Sequence, residues 1–133
     1  MKVIICLDDN GGMLFNNRRQ SRDKEVLKDI INNLEGGKLY ISPFSEKLFA
    51  DYVETVIVDE AFLTKASEND SCFVENKSLR DLSGINEIIV YKWNRVYPSD
   101  FKCDIDFLTC TLTEIVDFKG FSHEKITKET YKR

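Results

Sequence analysis

Lys2-Val3-Ile4-Ile5-Cys6-Leu7 is a nearly unbroken apolar run, and Asp8-Asp9-Asn10-Gly11-Gly12 ends it. β-Branched residues without polar alternation, closed by a turn cluster, predict a strand buried on both faces. Such a strand belongs at the centre of a sheet, with Cys6 buried inside it. Covering both faces requires helices, and the next strong signal is one. Val26, Leu27, Ile30, Ile31 and Leu34 recur at helical spacing, and Gly36-Gly37 stops the pattern. Ser21 reads as the N-cap of that helix, with Asp23 and Glu25 in its first turn. Between strand and helix, Met13 to Gln20 reads as a loop.

Outward from this unit, Leu39-Tyr40-Ile41-Ser42 predicts a second strand closed by Pro43, and Ser45 caps a short helix from Glu46 to about Tyr52. Val53 to Val58 predicts a third strand, Ala61-Phe62-Leu63 a helical turn, and Cys72-Phe73-Val74 a fourth strand. Ser78 to Leu82 suits a short helix or turn, and Glu87 to Tyr91 a fifth strand. Thr111 to Phe118 and Ile126 to Tyr131 suit a β-hairpin turning at Lys119-Gly120. Glu124-Lys128 and Lys125-Glu129 are also i,i+4 pairs, so a helix over the last segment stays open. Alternating strand and helix signals predict one α/β domain over residues 1–133: a mostly parallel sheet, flanking helices and an antiparallel C-terminal hairpin.

The 133 residues carry 19 Lys+Arg against 23 Asp+Glu, and 42% are hydrophobic. That apolar share excludes a solvated coil, and no apolar run approaches the roughly 20 residues of a membrane helix. The formal net charge of −4 argues against a dedicated nucleic-acid surface. Cys6, Cys72, Cys103 and Cys110 contain no C-x-x-C pair, so reduced structural thiols in the cytoplasm are expected, without a zinc site. The one histidine, His123, lies in a polar stretch and reads as a surface residue without a metal or catalytic role.

The opening Leu7-Asp8-Asp9-Asn10-Gly11-Gly12-Met13-Leu14-Phe15-Asn16-Asn17-Arg18 resembles the first strand and loop of dihydrofolate reductases. Gly37-Lys38-Leu39-Tyr40-Ile41 looks like that family's second strand, and Val53 to Asp59 its third. Asn86-Glu87-Ile88-Ile89-Val90 with Val96-Tyr97 is similar to the strand and helix start carrying a Gly-Gly-x-x-x-Tyr motif. Phe101 to Asp106 and the tail ending Tyr131-Lys132-Arg133 resemble its last hairpin. The resemblance implies a dihydrofolate-reductase-like fold. Its cofactor residues are missing, however. The Gly-Gly that lets backbone approach nicotinamide falls on Lys92-Trp93, and the Gly-Arg that binds cofactor phosphate falls on Ser42-Pro43. Asp23 stands for the carboxylate near the first helix start. The expectation is therefore no cofactor and no NADPH-dependent reduction. Leu14 to Asp23 and Ser122-His123-Glu124-Lys125-Ile126 also look like a set of small bacterial proteins, some labelled ribonuclease Z. Ribonuclease Z resembles the metallo-β-lactamases and needs a histidine–aspartate cluster on two metals, which one histidine cannot supply.

Two clusters carry possible chemistry. Arg18-Arg19-Gln20-Ser21-Arg22-Asp23-Lys24 places cations beside a helix start, where free N–H groups and the helix dipole favour an anion. The same segment also reads as a solvated basic turn paired with Asp8, Asp9 or Glu25. Asp8, Asp9 and Asn10 end the first strand, where ligands bind in open α/β sheets; Asp9 and Asn10 also suit an Asx turn on their own backbone. Trp93, Tyr91 and Tyr97 form either a stacking platform or ordinary packing. The expected role is binding of a small anionic ligand, nucleotide- or pterin-like, through Asp8, Asp9, Arg18, Arg19, Ser21, Arg22 and Asp23. A phosphodiester or nucleotide hydrolase, and an interaction module with no ligand pocket but an apolar patch at Trp93 or a paired edge strand, are the alternatives.

Overall fold

In the computed structural model, which describes residues 1–133, seven strands form one sheet. In spatial order they are β5 (Val56–Val58), β4 (Leu39–Ile41), β6 (Ser71–Phe73), β1 (Lys2–Leu7), β7 (Glu87–Lys92), β10 (Ile126–Lys132) and β9 (Thr111–Phe118). Pairings from β5 to β7 are parallel, and β10 runs antiparallel to both β7 and β9. The opening strand is thus central. Val3, Ile5 and Leu7 enter one core layer and Ile4 the other. Cys6 is half-buried rather than buried, with Glu75, Arg19 and Asp23 as charged neighbours at that end of the strand.

Helix α1 (Lys24–Asn32) packs Val26, Leu27 and Ile30 onto one face of the sheet, beside Leu48, Phe49, Phe73 and Trp93. Its N-cap is Asp23, not Ser21: Asp23 has extended backbone, and its carboxylate accepts the Glu25 N–H at 2.9 Å. The other face is covered by Phe62 of α2 (Phe62–Lys65), by Met13 and Leu14, and by Leu79 and Ile85. Pro43–Tyr52 is 3₁₀-helical, two pieces meeting at a kink at Phe49. Ser45 caps nothing there, because its hydroxyl donates to Glu75 at 2.7 Å. β5 is shorter than expected, since Val53 lies in an exposed turn.

A second sheet holds β3 (Arg18–Arg19), β2 (Gly12–Phe15) and β8 (Phe101–Lys102), all antiparallel; β2 and β3 fall where a loop was expected, and β8 pairs with β2, not with the tail as the hairpin resemblance implied. Asn16 and Asn17 turn between β2 and β3 with φ of 51° and 58°. Two left-handed residues make the primed turn that matches strand twist, and asparagine tolerates it well. The C-terminal segment is strand, not helix. Its connection to β9 is residues 119–125 rather than a tight Lys119-Gly120 turn, and that longer loop folds back over α1. β9 is an edge strand paired only with β10, and it is exposed almost throughout.

Candidate functional site

At the carboxyl end of β1, Asp8 is buried and committed to backbone. Its Oδ1 accepts N–H groups of Asn10 at 2.9 Å and Gly12 at 2.8 Å; its Oδ2 accepts Tyr97 N–H at 3.0 Å and the Gln20 amide at 3.3 Å. Burial opposes its charge, but these bonds outweigh that and lower its pKa. Asp8 therefore ties the strand end to the Tyr97 segment. Asp9 is exposed and borders a smaller cavity of about 230 Å³ with Lys92 and Glu129.

The basic segment divides. Arg19 makes a two-pronged pair with Glu75, Nε and Nη2 each at 2.8 Å, and Ser45 holds the same carboxylate. Glu75 was not among the partners expected for it. Lys24 lies over the Phe121 ring, 4.7 Å from its centroid, and Arg22 is exposed. Arg18 is exposed and enters no ion pair. It lines a cleft of about 590 Å³ with Phe15, Asn16, Gln20, Tyr97, Pro98 and the Glu75-paired Arg19. Asp8 and Asp23 do not line that cleft.

Asp23 is closed off under the 119–125 loop. Its carboxylate accepts N–H groups of Glu25, Phe121 and Ser122 and the Ser122 hydroxyl, and His123 Nδ1 lies 2.8 Å from Oδ2. Burial works against ionisation, yet these bonds hold the carboxyl well below its ordinary value. Gly120 permits this approach: a Cβ there would stand 2.6 Å from Asp23 Oδ2. The helix start is therefore occupied by the protein's own carboxylate.

His123 corrects the surface reading. It is buried, stacked on Trp93 with ring centroids 4.7 Å apart. Its Nε2 lies 3.0 Å from Ser21 Oγ and 3.3 Å from Tyr97 Oη. Sequence reasoning missed this constellation, because its members are about 100 residues apart in the chain. Trp93 is buried packing, so no apolar surface patch forms there; Tyr91 is buried too, its hydroxyl donating to Asp29 at 2.6 Å. No three of the chain's His, Cys, Asp and Glu side chains converge as a group able to hold a metal ion. All four cysteines are free, and burial raises the Cys72 thiol to about 12. No helix is long and apolar enough to cross a membrane.

No family model and no curated protein matches the sequence. Among solved structures, the chain is similar to dihydrofolate reductase from Enterococcus faecalis complexed with NADP(H) and RAB-propyl. The TM-score is 0.69 at 11% identity, covering 99% of this chain and 95% of that one. The likeness spans both sheets and the C-terminal hairpin, and the fold is dihydrofolate-reductase-like.

Proposed function

We propose that this chain, one α/β domain working in a reducing cytoplasm, binds a small anionic ligand in the Arg18 cleft without NADPH-dependent reduction. The observation that carries the reading is the contrast between neighbouring arginines. Arg19 is neutralised by Glu75, whereas Arg18 stands unpaired in a cleft large enough for a nucleotide- or pterin-sized molecule. Asn16 and Gln20 supply amides there, and Phe15, Tyr97 and Pro98 supply flat apolar surface for a ring. Asp8 and Tyr97 N–H fix one wall.

The residues present do not fit the dinucleotide of the structural relative. Where the resemblance places Gly-Gly, Trp93 packs inside on His123 and Lys92 reaches Glu129 at 3.2 Å. Side chains fill the space that glycine would leave open.

Thermal shift with inorganic phosphate and a nucleoside monophosphate tests the reading. The wild type should show a saturable shift that weakens with salt, because the cleft is open to solvent. Arg18→Gln should abolish the shift and Arg22→Gln should leave it. Equal shifts in wild type and Arg18→Gln would remove the cleft from the account.

A further inference from the structure

We propose that Ser21, His123 and Asp23 form a nucleophilic serine site that hydrolyses small anionic carboxylic esters. The geometry is that of nucleophile, base and orienting acid: Oγ to Nε2 is 3.0 Å, and Nδ1 to Asp23 Oδ2 is 2.8 Å. The tautomer follows from the partners. An ionised Asp23 only accepts, so in the neutral imidazole the proton sits on Nδ1 and Nε2 is left as acceptor. Nε2 then faces two hydroxyls, Ser21 and Tyr97, which are half-buried while the histidine and Asp23 are buried. Asp23 is held from the other side by three backbone N–H groups, so the imidazole has little room to turn.

The site adjoins the anion cleft, whose lining includes neither Ser21 nor His123. Ser21 directly follows Gln20, and Tyr97 belongs to both the cleft wall and the histidine network. In the reaction Oγ bonds the acyl carbon while its proton passes to Nε2. Collapse of the tetrahedral intermediate breaks the bond to the alkoxide, which takes that proton from Nε2. Water then attacks the acyl-serine, giving its proton to Nε2 and releasing the carboxylic acid as Oγ regains a proton. The substrate charge rests on the Arg18 reading; the serine's reactivity does not.

The test uses a fluorophosphonate probe with peptide mass spectrometry, and 4-nitrophenyl acetate against its hemisuccinate. The wild type should carry the phosphonyl group on Ser21, and Ser21→Ala should lose the adduct and at least roughly 100-fold in hydrolysis rate. Ser21→Ala leaves the Asp23–His123 pair intact, so an unchanged melting temperature and phosphate shift confirm folding. Arg18→Gln should lower the hemisuccinate rate toward the 4-nitrophenyl acetate rate. An unlabelled Ser21, or an unchanged rate in Ser21→Ala, overturns the serine site while a persisting phosphate shift leaves the cleft standing. Labelling of Ser21 with no hemisuccinate preference overturns the anionic substrate alone.

Discussion

Replacing Asp8 with Asn keeps the side chain's shape and converts one acceptor into a donor. Oδ1 continues to accept from Asn10 and Gly12, but the bond from Tyr97 N–H at 3.0 Å becomes N–H against N–H. Gln20 keeps its second partner, Pro98 O at 3.1 Å, so its loss is small. An unpaired buried N–H costs about 1–3 kcal/mol, and losing the charge on the two retained bonds adds about 1 kcal/mol. The expected destabilisation is about 2–4 kcal/mol at neutral pH, a large part of a small domain's stability. The pH dependence has a definite sign. Asp8 is more acidic folded than unfolded, so its contribution is whole above the unfolded value of about 3.9 and is lost as pH falls through the folded value. Urea unfolding at about pH 7, 5 and 3 reads both quantities, and the deficit should narrow only in the most acid series. A deficit below about 1 kcal/mol at neutral pH, or one constant down to pH 3, would refute the assignment of Asp8 as an ionised backbone tie.

Gly120→Ala should push the 119–125 loop off Asp23, because the added Cβ meets Oδ2 at 2.6 Å and His123 O at 2.9 Å. A loss of about 1–3 kcal/mol is expected, and an unchanged melting curve would mean the loop yields freely. Arg19→Gln strands Glu75 in a buried site and should cost about 3–5 kcal/mol, whereas Arg18→Gln should stay within about 0.5 kcal/mol; paired urea melts show whether the order is right. Calorimetric titration with NADPH should give no micromolar affinity, and saturable heat at that level would contradict the filled space around Lys92-Trp93. Native protein should leave Cys72 unmodified by a thiol reagent, since the side chain is enclosed and its thiolate disfavoured.

The strands and α1 were legible in the chain because burial on one or both faces writes a local period. The apolar run of β1 and the 3.6-residue recurrence from Val26 to Leu34 each state their own environment. The opening turn and loop, with the spacing of later strands, likewise carried the resemblance that the structural comparison bears out at the level of fold. The β2–β3 hairpin had a signal too, Asn16-Asn17 between Met13-Leu14-Phe15 and Arg18-Arg19, which the charged context obscured. The site belongs to a different order of information. Whether Ser21 or Asp23 caps α1 depended on which side chain the returning loop at 119–125 would claim. Arg18 and Arg19 are identical neighbours, and only Glu75, brought in beside β1 by the parallel pairing of β6, separates the paired one from the free one. His123 sits in a polar stretch whose local pattern says surface, and Trp93 and Asp23 bury it from two distant parts of the chain. Local periodicity records how much of a segment is covered. It carries no record of which distant polar group does the covering, because that choice is made by sheet order and loop closure after the elements have formed.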